Sequence, residues 1–492
     1  MNFNKPANML INKKLNLLFA LAFAVLVVGC KDKDVQPDII ATTDSTSTAD
    51  YKAVNAWLYE VMDDAYFWYK NLPAQSSLDA SVSPYDYFEK LVYQRETVDR
   101  FSAVTDDIDA LQNEFNGVSK IYGISYSLSY IDDGNSNIGA FLNYVVKGSP
   151  AAAAGLKRGD IILKVNGTQL TSNNYVSLLS SNETATFTLG ALQDSKIVAT
   201  STTYSVTKAE VSEDPVAYST VISKPASGKT IGYLVYTQFV PGSAADEKKY
   251  DNELRQVFAD FKAKGVNELV LDLRLNSGGY ISSANTLASL IGKNVTASKI
   301  FYKEQWNDKY IAYWQKANGA NALNYNFQAE PNNIGSNLNR VFVLTSNGTA
   351  SASELVINGL KPYMSVVTIG ENTAGKNLFG SLISDDQERW KWGAYVMLGQ
   401  TANANDESDY GTVNGMTPDY VVEDSKVPYN AFGDENETLF NKALQVMGVP
   451  VGTTGRVAAV KTVEPFRKLL RDNLDSRKNL MIKDGVLKSL NQ

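Results

Sequence analysis

Histidine is absent from all 492 residues, and cysteine occurs once. The first absence removes imidazole as a general base, and any serine nucleophile must then use another base, for which lysine is the usual substitute. The second removes any intrachain disulfide. Together they exclude most structural and catalytic zinc arrangements. No EF-hand spacing is present either, which leaves only a carboxylate site for calcium or magnesium. No cofactor is expected. The formal net charge of −7 gives no sign of a nucleic-acid partner. What is present is ordinary for a globular chain: 44% hydrophobic and 20% charged residues, over a length that suits two or three domains.

The lone cysteine has a particular setting. Lys13 and Lys14 precede an apolar run that ends L-V-V-G-C at Cys30. A basic segment and a short apolar segment of this kind form a signal peptide rather than a spanning helix. The ending resembles a bacterial lipobox, which implies cleavage before Cys30 and lipidation of Cys30. The K-D-K-D that follows resembles surface-displayed lipoproteins of gut-type Gram-negative bacteria. The expected location is therefore the cell envelope, lipid-anchored in the outer membrane, facing either the periplasm or the outside.

Residues 31–50 are polar and aperiodic, a flexible tether. Residues 51–115 carry an apolar helical face from Val54 to Trp68, stopped by Pro73. A second helix is capped by Ser83-Pro84 and buries Tyr87, Phe88, Leu91 and Val92. Residues 116–205 alternate as strands. Within them, V-V-K-G-S-P-A-A-A-A-G-L-K-R-G-D-I-I-L-K-V-N-G (145–167) reads as strand, short Pro-started helix, glycine exit, strand and hairpin. This piece resembles a PDZ domain of the bacterial protease type. That resemblance implies a peptide-binding groove beside Tyr122, Gly123, Ile124, Ser125 and Tyr126, which takes an extended peptide, possibly by its C terminus, as an added strand.

Residues 206–228 read as a linker. From 229 to 450 strands and helices alternate with short connections, a β/α core, with an insertion or a pair of peripheral strands near 293–340. The basic tail, 451–492, is compatible with one amphipathic helix around Val463–Leu474. The overall class is a multidomain α+β protein.

The organising stretch is 345–376. The strand V-F-V-L empties into T-S-N-G-T-A-S-A-S-E, a helix begins near Ser351, and a second strand leads to the loop T-A-G-K. A strand–turn–helix can hold a hydroxyl above a sheet with backbone N–H groups beside it. With T-A-S-A-S-E, T-A-G-K and L-D-L-R-L-N-S-G-G in place, the chain resembles C-terminal processing peptidases of serine-protease family S41. The resemblance covers roughly residues 51–447. D-R-F-S at Asp99–Ser102 resembles a short signature of the same family.

The resemblance implies a small N-terminal helical domain, a PDZ-like domain and an S41-like protease core. It makes Ser351 the nucleophile, with Ser353 the alternative, and Lys376 its general base. The base must be neutral, which burial in an apolar pocket favours. The backbone amides of Ala352 and of Gly278 or Gly279, with Gly278 preferred, would form the oxyanion hole. Glu354 either orients the lysine or nucleophile, or stabilises the helix start. The glutamine that the family often places four residues past the lysine is replaced by Gly380, so what orients Lys376 is open. Arg274 and Asn276 read as fasteners of the glycine turn. The function implied is a serine endopeptidase working through an acyl-enzyme on protein or peptide substrates. The rivals are an inactive peptide-binding lipoprotein and a hydrolase of a non-peptide acyl bond. Oligomeric state is not legible.

Overall fold

The computed structural model describes residues 48–132, 134–451, 467–472 and 480–483, the two tail segments mainly through their backbone. Cys30, the signal segment and most of the tether lie outside the described residues. Among the described residues no helix is long and apolar enough to cross a membrane.

The core is a six-stranded sheet, in the order Val216–Lys224, Lys229–Tyr236, Glu268–Asp272, Arg340–Thr345, Ser365–Gly370, Tyr420–Val421. The first pair is antiparallel and the others are parallel. Parallel strands must be covered on both faces, and the near-continuous apolar runs at 268–273 and 341–344 meet that need. Leu269, Leu271, Val341 and Val343 face one side, packed with Leu254 and Phe258 of the Lys249–Ala263 helix and with the helices Ile281–Ile291 and Ala352–Leu360. Val270, Phe342 and Leu344 face the other, against Leu439, Phe440, Ala443 and Leu444 of the Thr438–Met447 helix.

A second sheet of seven strands lies over the first helical layer, with Gly278–Tyr280, Leu378–Ser384, Gly393–Ala402 and Ile300–Trp306 among its members. The N-terminal helices Thr48–Ala65 and Pro84–Leu91 bury Leu58, Met62, Tyr87 and Phe88, and Tyr66 just past the first helix, in the same core as this sheet. Ser83 caps the second helix, its side chain accepting from the Asp86 amide. Ile300–Trp306 and Asn324–Asn326 pair antiparallel at the sheet margin, which accounts for the peripheral strands expected near 293–340.

The PDZ-like unit has its own sheet and its own core, built on Ile124, Leu128, Leu142, Ile162, Val165 and Phe187. Arg158 docks it on the protease core. Its guanidinium donates to the carbonyls of Asn143 and Asn430 at 2.8 Å and stacks on Tyr429 and Phe432.

Two expectations are corrected. Residues 206–228 are not a linker: Ala209–Ser212 pairs with Val118–Ile121, and Val216–Lys224 is the edge strand of the core sheet. Edge strands stay half-exposed, so their apolar alternation is weak and the segment reads as a connector. Within the tail, Arg467–Asp472 is a strand, where the sequence is compatible with a helix around 463–474, and Leu480–Ile482 forms a second strand. Sheet partners far away in sequence override a local helical pattern.

Candidate active site

The site forms where the parallel strands end, beyond the carboxyl edge of the sheet. The Arg340–Thr345 strand is followed by a turn that leads directly into the Ala352–Leu360 helix. Thr349 Oγ1 donates to the Leu273 carbonyl, and Ser346 Oγ to the Arg274 carbonyl. The Ala350 amide and Ser353 Oγ both donate to the Asn276 carbonyl. Ser353 is therefore a fastener between the helix start and the 273–276 segment. Asn276 is one too, its side chain donating to the Tyr236 carbonyl. Arg274 is buried and pairs with Asp272, Asp424 and Glu437, tying the strand end to the cap of the Thr438–Met447 helix.

Ser351 stands at the turn with φ of 62°, an unusual conformation for a residue with a side chain, and one that costs about 1–3 kcal/mol. Its Oγ is buried and has no hydrogen-bond partner among the described residues. Ala352 begins the helix, so its amide belongs to the unsatisfied first turn.

Lys376 is fully buried in the loop after Ser365–Gly370. Its Nζ donates to Tyr395 Oη at 3.1 Å and lies 4.7 Å from the centre of the Phe101 ring and 4.9 Å from that of Tyr395. Burial pushes the amine well below the ordinary lysine value. Asp99 and Glu354 oppose that shift, and the positive charge of Arg100 adds to it. The pocket wall is formed by the rings of Phe101 and Tyr395, and the charged groups Asp99, Glu354 and Arg100 stand near it.

Glu354 is also fully buried. Its carboxylate accepts from the Ser351 amide at 2.7 Å, from the amides of Gly375 and Lys376 at 2.8 Å each, and from the Thr373 hydroxyl. Burial raises its pKa in spite of these four donors. The acid therefore bolts the backbone of Ser351 to the backbone of Lys376, and that arrangement goes beyond both helix-start stabilisation and contact with a reacting atom.

Residues with no assigned role in the sequence reading complete the site. Asp99 accepts from Tyr66 Oη at 2.6 Å and from the amides of Phe101 and Ser102. Arg100 donates to the carbonyls of Ala374 and Gly375 at 3.1 and 2.8 Å, and so clamps the lysine loop. The D-R-F-S signature was the signal that could have pointed to them. Tyr395 had no local signal.

The glycine turn also differs from expectation. The Gly278 amide donates to Asn276 Oδ1 at 2.9 Å, so it is already engaged. Gly279 follows at φ of 136°, where an added Cβ would lie 2.1 Å from the Phe239 carbonyl oxygen. The PDZ residues form a turn and a strand away from this site. Tyr122 is buried with its hydroxyl on the Asn182 carbonyl, and Gly123 sits at φ of 88° with Ser149 filling the space a side chain would need. Ile124, Ser125 and Tyr126 open the strand that follows.

This geometry ties the backbone of a strand–turn–helix serine, through Glu354, to the backbone of a buried lysine, in a fold that also carries a PDZ-like unit. Family models agree segment by segment. Residues 53–103 match the peptidase S41 N-terminal domain, 141–190 a PDZ domain, and 230–422 peptidase family S41. A crystal structure of a candidate S41 protease from Bacteroides fragilis is 30% identical, covers 80% of this chain and 97% of its own, and superposes with a TM-score of 0.68. The chain belongs to peptidase family S41.

Among characterised relatives, the chloroplastic C-terminal processing peptidase of Tetradesmus obliquus is 24% identical over 315 residues, 62% of either chain. The carboxyl-terminal-processing protease of Picosynechococcus is 26% identical over 307 residues, 61% of this chain and 64% of its own. The chain thus spans about three-fifths of the length of these relatives.

Proposed function

We propose that the protein is a serine endopeptidase that cleaves envelope or extracellular proteins and peptides with Ser351 as nucleophile and Lys376 as general base. The observation that carries this reading is Glu354, whose single carboxylate fixes the backbones of Ser351 and Lys376 together while Lys376 is kept buried and driven toward its neutral form. A neutral amine can take the serine proton; an ammonium cannot.

In the reaction, Ser351 Oγ attacks the peptide carbonyl carbon and its proton passes to Lys376 Nζ. The tetrahedral oxyanion is met by the Ala352 amide and by a glycine amide of the 278–279 turn. Asn276 holds the Gly278 amide and Gly279 is paired with the Leu480–Ile482 strand, so one of the two amides must be released to serve as the second donor. Collapse expels the amine with the proton from Nζ and leaves an acyl-serine. Water then attacks the acyl carbon and gives its proton to Nζ, which passes it to Ser351 Oγ as the acyl–oxygen bond breaks, so that the acid is released and the serine and neutral amine are restored. No hydrogen bond joins Ser351 Oγ to Lys376 Nζ as they stand, so the two must close to begin the cycle, and the amine can keep its N–H on Tyr395 Oη while its lone pair takes the serine proton. The PDZ-like unit captures substrate by β-strand addition at Ile124–Tyr130. Lipidation at Cys30 would anchor the enzyme in the outer membrane.

The unclosed Ser351–Lys376 pair favours one second reading, a peptide-binding lipoprotein of protease fold without turnover. Hydrolysis of an unstructured protein such as casein, compared among wild type, Ser351→Ala and Lys376→Ala, separates the two. Turnover that drops by about a hundredfold or more in both variants supports the enzyme reading. Equal turnover in all three sinks it, and loss of peptide cleavage with retained ester cleavage points to a non-peptide hydrolase. Growth with labelled palmitate tests the anchor: label should enter wild type and be absent from Cys30→Ala.

A further inference from the structure

The two tail strands each lie on an edge that a peptide ligand would use. Arg467–Asp472 pairs antiparallel with Ile124–Tyr130, Arg467 opposite Tyr130 and Asp472 opposite Ser127. Its C-terminal direction therefore runs toward the Tyr122–Gly123 turn, the direction that a captured C-terminal peptide would take. Leu480–Ile482 lies parallel to Gly278–Tyr280, with Leu480 against Gly278 and Ile482 against Tyr280. On its other side Ile482 pairs with Gly380, and the Lys483 amide donates to the Gly380 carbonyl at 3.1 Å. The tail backbone is thus seated between the glycine turn and the strand that starts just past Lys376.

Its side-chain anchor is a built pocket. Lys483 Nζ donates to Glu304 Oε1 and Oε2 at 2.7 and 2.9 Å and to Tyr325 Oη at 2.9 Å. It also lies 4.5 Å from the centre of the Tyr325 ring and 5.6 Å from that of Trp306. The Glu304 side chain has no exposed surface, and its other donor is Trp306 Nε1 at 2.8 Å. A carboxylate buried this deeply calls for a cation partner. Burial works against the Lys483 ammonium, but Glu304 and Tyr325 outweigh it and hold the charge in place.

We propose that the tail strands Arg467–Asp472 and Leu480–Ile482, with Lys483, are a built-in competitor for peptide substrates at the PDZ edge and the catalytic slot, and that the Glu304–Tyr325–Trp306 pocket filled by Lys483 is a subsite for a lysine or arginine side chain of an incoming peptide. The role of the slot rests on the peptidase reading, whereas occupancy of the pocket does not. An attached ligand works at high effective concentration, so outside peptides compete poorly until it is dislodged.

The test is a binding measurement that needs no turnover. A fluorescent synthetic peptide with the sequence of residues 467–486 is titrated into the full chain carrying Ser351→Ala, with and without Lys483→Glu, and anisotropy is read. The Lys483→Glu chain should bind the peptide about tenfold or more tightly than its parent, because its own tail has lost its anchor. A peptide with glutamate at the position of Lys483 should bind the Lys483→Glu chain about tenfold more weakly than the lysine peptide, and Glu304→Gln introduced beside Lys483→Glu should weaken the lysine peptide about tenfold. Equal affinity of the two chains, or equal affinity of the lysine and glutamate peptides, overturns the proposal. Absence of casein hydrolysis by the wild-type chain would sink the peptidase reading and leave these affinities, measured on Ser351→Ala chains, as they are.

Discussion

Ser351 and Lys376 are held against their own preferences. Ser351 takes a backbone conformation that favours glycine, and Lys376 loses the hydration of an ammonium. A buried lysine that folds as the neutral amine binds fewer protons than it does in the unfolded chain. Between the lowered folded value and the ordinary unfolded one, stability therefore rises with pH, and at neutral pH the residue is a liability. Lys376→Met keeps the volume and removes the amine, so it should abolish peptide hydrolysis while raising Tm by about 2–4 °C, read by calorimetry. Glu354 has the opposite character. Glu354→Gln keeps the shape but replaces one acceptor oxygen with a donor that faces backbone N–H groups, which should cost about 2–3 kcal/mol of stability in denaturant titrations. Because Glu354 acts through the backbones of Ser351 and Lys376, kcat should fall with KM nearly unchanged.

At the scale of elements, the Asp99–Ser102 segment governs the loop that carries Lys376. Arg100 holds that loop by two carbonyls, and its charge helps to depress the lysine. In Arg100→Ala the amine loses a like-charged neighbour, so its pKa should rise. The acid limb of the kcat/KM profile, where the base becomes protonated, should then shift to higher pH, with a drop of about tenfold at neutral pH. A profile that only scales down, without moving, would mean that Arg100 acts through packing alone. Elements also explain what could be read from the chain. The strands at 268–272 and 340–345 and the Ser351 turn were legible because local apolar runs and a turn signal define them. Asp99, Arg100, Phe101 and Tyr395 enter the site from distant segments, and no local pattern records that meeting. The edge strand at 216–224 escaped because one side of it is open to water.

At the scale of the molecule, the PDZ-like unit and the core are joined through Arg158, which reaches the Asn430 carbonyl and Glu437 while Glu437 also holds Arg274. Arg158→Ala removes a buried cation from this shared network, and should cost about 2–4 kcal/mol, with faster hydrogen exchange around 424–437 and unchanged protection in the strands 268–272 and 340–345. The tail was the least legible part, since its strands take their register from edges more than a hundred residues away. The composition showed that it was basic, and only the folded chain shows Lys483 on Glu304.

The central claim, that Ser351 is activated by Lys376, is tested most directly by covalent labelling. Full-length chain is treated with a serine-acylating probe near neutral pH, and the modified residue is located by mass spectrometry of the digested protein. A single adduct on Ser351 in wild type, reduced about a hundredfold in Lys376→Ala and absent in Ser351→Ala, is the predicted result. Equal labelling of Ser351 in wild type and Lys376→Ala, or labelling only at another serine, would contradict it.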